Sequence, residues 1–296
     1  MRIPIVFSTD HNFVMPTGVT IHSLLRWKKP EVNYDIFILT NPDVTDKDKE
    51  SLEKQVKNDD HNSEISFIDI GDTFKGGYEI RDISKACYNR LMIPWLLPQY
   101  DKIIYSDVDI IFKGDLSDVY DTDMKDYLVA GVGGEVWEKW IFKRYLQKIG
   151  VKSKEYINSG FLLINSALQR DKNLKEEYLQ LSKKEFLYQD QDIINLVCKG
   201  HISHLPESYN IKPSDIYNFP LKEIKVIHYK GIKPWHGFTF GWEEWWQSYN
   251  DSLFYNPKFA KSASTRILKW NHIIHQEIKA NCQKAHFVRK CLLGKF

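Results

Sequence analysis

The stretch Ile103-Ile104-Tyr105-Ser106-Asp107-Val108-Asp109-Ile110 decides how this chain is read. An apolar run of strand length ends on two aspartates, and a second apolar run, Ile110–Phe112, follows at once. In an extended segment residues i and i+2 face the same way, so Asp107 and Asp109 project together while Val108 points back into the core. Two adjacent carboxylates repel unless a cation sits between them, so the pair reads as a divalent-ion site in preference to two surface caps.

Upstream of that stretch, the apolar runs Ile3–Phe7, Tyr34–Leu39, Ile65–Ile70 and Lys102–Tyr105 read as strands. Helical stretches near Met15–Trp27, Thr45–Lys57 and Ser84–Leu97 separate them. That alternation predicts an α/β fold with a mostly parallel sheet covered on both faces and ligands at the carboxyl ends of the strands. Downstream, Trp137–Gly150 and Ser166–Lys184 read as helices, Phe161–Ile164 and Val226–Tyr229 as short strands, and Ser208–Pro220 as loop.

Three further stretches carry polar groups at such ends. In His228-Tyr229-Lys230-Gly231-Ile232-Lys233-Pro234-Trp235, His228 closes a strand-like run and Gly231 permits a tight turn that brings Lys233 toward an anion. Alone, His228 reads as a structural histidine; beside the aspartate pair it reads as a third ligand. Tyr188-Gln189-Asp190-Gln191-Asp192 opens a helix, where acidic residues also serve as plain caps. Asn158-Ser159-Gly160 reads as a turn entering the strand Phe161–Ile164.

Composition narrows the class. With 296 residues, 43% of them hydrophobic and 27% charged, the chain fills a sizeable core and is not a disordered polymer. No stretch reaches the roughly 18 uninterrupted apolar residues of a spanning helix, and Met1-Arg2 runs directly into the short apolar Ile3–Phe7, so neither a signal peptide nor a membrane anchor is expected. The four cysteines, Cys87, Cys198, Cys282 and Cys291, have no paired spacing, which fits a reducing cytoplasm. The net charge of +2 hides an asymmetry: residues 262–296 carry seven basic residues against Glu277, a net +6, leaving −4 on the body. An acidic body with a basic tail is not the composition of a nucleic-acid enzyme, so no nucleic-acid partner is expected. The expected division is a catalytic domain over residues 1–257 and a basic amphipathic tail over 258–296.

In order along the chain, Phe7-Ser8-Thr9-Asp10-His11-Asn12, Asn89-Arg90, Asp107-Val108-Asp109, Asn158-Ser159-Gly160-Phe161, Asp190-Gln191-Asp192 and the segment His228–Trp235 together resemble family 8 glycosyltransferases, over roughly residues 1–246. These are retaining enzymes of the lipopolysaccharide galactosyl- and glucosyltransferase and glycogenin type. The resemblance implies a GT-A fold, a Rossmann-like nucleotide-binding half fused to an acceptor-binding half. It implies that Asp10 and Asn12, with Ser8 beside them, hold the uridine of a UDP-glucose or UDP-galactose donor, and that Arg90 contacts that donor. Val108 falls within the donor-binding set as well. Asp107, Asp109 and His228 match the ligands of Mn²⁺, with Mg²⁺ as a substitute. Asn158, Asp190 and Gln191 match residues around the donor sugar, with Gln191 and Asp190 as the catalytic pair, and Gly231 and Lys233 match diphosphate contacts. His11 departs from relatives that carry an acid there.

The physical reading agrees, because a metal and Lys233 would stabilise the charge that develops on a departing diphosphate. Two alternatives compete with this reading. A haloacid-dehalogenase-type phosphotransferase needs its aspartate pair after the first strand, whereas here it follows a fourth. A carbohydrate-binding protein on the same fold would use Trp235, Trp242, Trp245 and Trp246 as sugar platforms, where core packing is the competing reading.

The tail generates its own expectation. Ile267, Trp270, Ile274, Ile278, Cys282, Ala285, Val288 and Leu292 recur at spacings of three and four, predicting a helix apolar along one stripe and basic elsewhere. Such a tail fits peripheral attachment to the cytoplasmic face of an anionic membrane surface, at about 1 kcal/mol per basic residue near the lipid, where a glycan or lipid-linked glycan acceptor would be found. Deleting residues 284–296 is expected to release the protein from anionic vesicles at low salt and to leave UDP-sugar hydrolysis intact. Identical partitioning of the truncated and full-length chains in a flotation assay would make the tail structural.

Overall fold

Alternation along the first strand builds two hydrophobic layers. Ile3, Ile5 and Phe7 face one side, where Ile21, Leu24, Leu52 and Val56 cover them, and Val6 faces the other, with Tyr88, Leu91, Ile93 and Ile193. A strand apolar on both faces belongs inside a sheet with helices above and below.

The computed structural model describes residues 1–71, 73–74, 76–78, 85–133 and 140–266. Its strands are β1 (Arg2–Thr9), β2 (Asn33–Thr40), β3 (Glu64–Asp69), β4 (Lys102–Ser106), β5 (Ile110–Phe112), β6 (Val129–Gly133), β7 (Ile157–Asn165), β8 (Ile202–His204) and β9 (Val226–His228). The main sheet has the order β3-β2-β1-β4-β7-β6-β8, and β5 pairs with β9 in a second, two-stranded sheet. Every neighbouring pair in the main sheet is parallel except the two that β7 makes with β4 and β6. The order turns back between β1 and β4, a switch point at whose carboxyl ends a ligand crevice is expected.

The sheet is mostly parallel, as expected, with β7 running against its neighbours in the second half. Several other expectations are corrected. Asn158-Ser159-Gly160 is not a turn before a strand but the start of β7 itself. The helix expected over Ser84–Leu97 is a 3-10 run, Lys85–Met92, followed by a short α-helix, Ile93–Leu96, because Pro94 lacks the N–H that would continue one α-helix across the junction. Ser166–Lys184 is two helices, Ser166–Asp171 and Lys175–Leu181, divided where Asn173 takes a left-handed φ of 55°. The loop Ser208–Pro220 contains 3-10 turns at Glu207–Tyr209 and Pro213–Asn218. The aspartate pair sits not in a continuous strand but in the bend between β4 and β5. Of the helix expected over Trp137–Gly150, residues 137–139 lie outside the described residues, and Trp140–Ile149 is helical.

A third cluster lies beneath the small sheet. Trp235, Trp245 and Trp246 are buried there with Ile227, Tyr229 and Tyr249, and Trp242 packs against them. Trp245 stacks on Tyr249 with ring centroids 5.2 Å apart. These rings therefore serve as core, not as sugar platforms. A helix over 257–266 closes this cluster, with Ala263 buried, Phe259 against Trp246, and Arg266 donating to the Trp235 carbonyl. The tail stripe from Ile267 to Leu292 lies outside the described residues, as do Cys282 and Cys291. Among the described residues no helix is long and apolar enough to cross a membrane.

The bend between β4 and β5 is anchored from the helix Val14–Arg26. Thr20 Oγ1, fully buried, lies 2.8 Å from the carbonyl oxygens of both Val108 and Ile110. Thr20→Val removes that donor without changing side-chain shape, and it is expected to lower stability by about 1–3 kcal/mol in urea denaturation, whereas Thr20→Ser should retain most of it. An unchanged urea midpoint in the valine variant would contradict this anchoring.

Candidate active site

Register brings the candidate ligands together. Ser106 pairs with Phe161 and the Asp107 amide donates to the Gly160 carbonyl, which holds the end of β4 against the start of β7. On the other side Ile110 pairs with His228 across β5 and β9, and the Tyr229 amide donates to the Asp109 carbonyl. Asp107, Asp109 and His228 consequently offer one ligand atom each, all within 4.8 Å of one another.

The outer oxygens of the two carboxylates are taken by the protein. Asp107 Oδ1 accepts from Tyr105 OH at 2.7 Å and lies 3.0 Å from Arg90 Nη2. Asp109 Oδ2 is paired with Lys233, whose ammonium also donates to the Tyr229 carbonyl at 2.9 Å. The inner oxygens face the imidazole: His228 Nε2 lies 3.7 Å from Asp107 Oδ2 and 3.2 Å from Asp109 Oδ1. Burial would raise the Asp109 pKa, but the neighbouring His228 and Lys233 hold it well below the usual carboxylate range. Two hard carboxylate oxygens and an imidazole nitrogen converging on one point are a donor set that suits Mn²⁺ or Mg²⁺, so these residues fit such an ion.

Beside this trio lies a buried ion cluster. Arg90 stands between Asp107 and Asp190, with its Nε 3.2 Å from Asp190 Oδ2 and its guanidinium 4.4 Å over the Tyr105 ring. Burial alone would lower the Arg90 pKa, and the two carboxylates more than reverse it. For Asp190, burial wins over the attraction of Arg90 and the carboxyl pKa is raised. The Arg90 contact is an ion pair without hydrogen-bond geometry, so Asp190 Oδ2 is a buried oxygen with no hydrogen-bond donor. Such an atom is costly unless a ligand supplies the donor.

Gln191 is held on both sides. Its Oε1 accepts from Asn158 Nδ2 at 2.7 Å and from the Ser159 amide at 3.2 Å, and its Nε2 donates to Tyr156 OH at 3.0 Å. At the β1 end, Asp10 accepts from the Phe13 amide at 3.1 Å and caps a 3-10 turn, Asn12 is exposed, and Ser8 Oγ is a buried hydroxyl without a partner. His11 pairs with Asp48 at 2.8 Å. Val108 packs in the core cluster, as its alternation requires. Gly231, exposed beside Lys233, has φ 93°, a conformation open to glycine and strained for other residues.

Sequence reasoning passed over Tyr105, Tyr156 and Asn210. Tyr105 is two residues before Asp107 and shares its face, a signal that was present in the alternation. Asn210 lies in what reads as loop and had no such signal.

The switch point between β1 and β4, the paired aspartates after β4 and the fused second half define a GT-A glycosyltransferase. The family model "Glycosyl transferase family 8" matches residues 4–239, and the chain belongs to that family. It is 26% identical over 291 residues to the lipopolysaccharide glucosyltransferase WaaO of Escherichia coli K12, covering 91% of this chain and 84% of that one. It is 27% identical over 290 residues to the lipopolysaccharide 1,3-galactosyltransferase of Salmonella typhimurium LT2, covering 92% and 80% respectively. Among solved structures, the galactosyltransferase LgtC in complex with donor and acceptor sugar analogues superposes with a TM-score of 0.75 at 26% identity, covering 88% of this chain and 99% of that one.

Gly160 shows how closely the trio is packed: a Cβ added there would stand 2.2 Å from His228 Cε1 and 2.7 Å from Asp107 Oδ2. Gly160→Ala is expected to displace His228 and weaken Mn²⁺ binding by on the order of 10–100-fold, with the far-ultraviolet dichroism of the fold retained. Wild-type Mn²⁺ affinity in this variant, read by isothermal titration, would mean that the trio does not act as one site.

Proposed function

We propose that this chain is a metal-dependent retaining hexosyltransferase that moves glucose or galactose from a UDP-sugar to a cell-surface glycan acceptor. The observation that carries the reading is the convergence of Asp107, Asp109 and His228 beside the unsatisfied carboxylate oxygen of Asp190. Asp107, Asp109 and His228 would hold the ion, with Mn²⁺ favoured over Mg²⁺ by the imidazole. When bound, such an ion neutralises charge developing on the diphosphate.

The chain's own residues supply the rest. Lys233, held against Asp109 after the turn at Gly231, offers a second positive charge to the diphosphate. Asp10 and Asn12, with the unpartnered Ser8 hydroxyl, offer polar groups at the β1 end for uracil and ribose. Asp190 Oδ2 accepts from a donor-sugar hydroxyl, and Arg90 holds Asp190 in place while touching the same region. Asn158 orients Gln191.

Within a retaining reaction, the state of Gln191 disfavours a covalent intermediate. Its amide oxygen already accepts two hydrogen bonds, which makes it a weak nucleophile. We therefore favour a front-face route: the bond from the anomeric carbon to the phosphate oxygen breaks, the acceptor oxygen bonds to the same face, and the acceptor proton passes to the leaving phosphate. A binding protein without catalysis loses its main support, because the tryptophans that would form its platform are core. The lipopolysaccharide enzymes among the relatives support a lipid-linked glycan acceptor, and the basic tail supports peripheral attachment at the cytoplasmic membrane face.

The test is a screen of UDP-sugars for slow hydrolysis without acceptor, with Mn²⁺ or with chelator. UDP-glucose or UDP-galactose should be turned over only with the ion, and the sugar first released should keep the donor's anomeric configuration by proton NMR. Asp109→Asn, which keeps shape and removes charge, should lose on the order of 10²-fold or more in kcat. Normal Mn²⁺-dependent turnover in that variant would overturn the site assignment, and Mn²⁺-dependent UDP binding without any turnover would favour the binding protein.

A further inference from the structure

A single chain of side-chain amides runs from the sugar-side glutamine to the candidate metal ligand, and every link in it has a direction. The Gly160 amide donates to Asn158 Oδ1 at 3.1 Å, which settles which end of the Asn158 amide is oxygen. Asn158 Nδ2 then faces Gln191 Oε1, as the second donor to that oxygen, the Ser159 amide, also requires. Asn158 Oδ1 accepts as well from Asn210 Nδ2 at 2.8 Å. The Asn210 amide is oriented in turn, and its Oδ1 is the atom 2.9 Å from His228 Nδ1. An amide oxygen can only accept, so Nδ1 of His228 carries a proton, and Nε2 is the nitrogen turned toward Asp107 Oδ2 and Asp109 Oδ1, where an ion would take its lone pair.

We infer that Asn210 is the positioning residue of this site. It fixes the tautomer and ring orientation of His228 so that Nε2 is available to a divalent ion, and it takes that orientation from backbone amides of β7 through Asn158. Asn210 is buried, 5% exposed, and belongs to the segment between β8 and β9, outside both strands that present the carboxylates. The inference rests on the metal-site reading proposed above. A ligating histidine whose other nitrogen is held by an outer partner binds its ion about 10–100-fold more tightly than one without it.

The first readout needs no metal. In protein with isotope-labelled histidine, at a pH well above the ordinary imidazole pKa, two-bond proton–nitrogen correlations identify which ring nitrogen holds the proton, with the His228 signals assigned by their loss in His228→Gln. Wild type should be the Nδ1–H form, and Asn210→Leu, which keeps bulk but offers no acceptor, should lose that preference. The second readout is the Mn²⁺ dissociation constant in the presence of UDP, from the paramagnetic resonance signal of free ion. It should rise about 10–100-fold in Asn210→Leu and stay within about threefold of wild type in Asn210→Asp, which keeps an oxygen toward Nδ1–H. An Nε2–H form in wild type would overturn the inference, as would wild-type Mn²⁺ affinity in Asn210→Leu. Equal losses in the Leu and Asp variants would overturn it too, since a packing role alone predicts them. Wild-type protein that binds no Mn²⁺ with UDP overturns this inference and the metal reading together. Absent UDP-sugar turnover alongside the expected tautomer and Mn²⁺ results overturns only the proposed reaction.

Discussion

Arg90 is a buried guanidinium with a carboxylate on each side, and the geometry of the whole site hangs on it. It joins the 3-10 run Lys85–Met92 to Asp107 at the end of β4, to the Ser159 carbonyl of β7 at 2.8 Å, and to Asp190 in the first turn of the helix Gln189–Val197. Removing one partner from such a cluster leaves uncompensated buried charge, at a cost of about 3–5 kcal/mol. The elements that carry candidate metal and sugar residues are therefore held by the same cation.

The charge balance follows from that arrangement. Asp107, Asp109 and Asp190 face the fixed cations Arg90 and Lys233, and the remaining oxygens of Asp107 and Asp109 are directed at His228. With the carboxyls ionised, the side chains are one charge short of neutral. A divalent ion would turn that deficit into a net positive charge, suited to a diphosphate but not to a neutral sugar alone. Lys233 and Arg90 also explain how the aspartate pair tolerates its mutual repulsion: each carboxylate has its own cation on the outer side.

The first half of the fold was legible because its signals are local. Largely apolar runs gave β1 to β4 to within a few residues, and the capping box at Thr45 and Asp48 marks the start of the helix Asp46–Asp59. The second half was less so. β6 and β8 are short, and pairing alone defines them: Val129 and Ala130 lie between Ile164 and Leu163 on one side and Ile202 and Ser203 on the other. The reversal of β7 is a tertiary fact with no local mark. In the site, charged residues with a recognisable order stood out in the sequence, whereas Asn210 and Tyr156 act by orienting other side chains, and their roles exist only once three distant segments meet.

The central claim is that Asp107, Asp109 and His228 form one divalent-ion site that holds a nucleotide diphosphate. Diffraction at the manganese absorption edge, from crystals grown with Mn²⁺ and UDP, tests it most directly. The account predicts one anomalous peak in contact with both inner carboxylate oxygens and with His228 Nε2, bridged to the diphosphate. A peak elsewhere, or UDP bound in the crevice with no manganese at the trio, would contradict it.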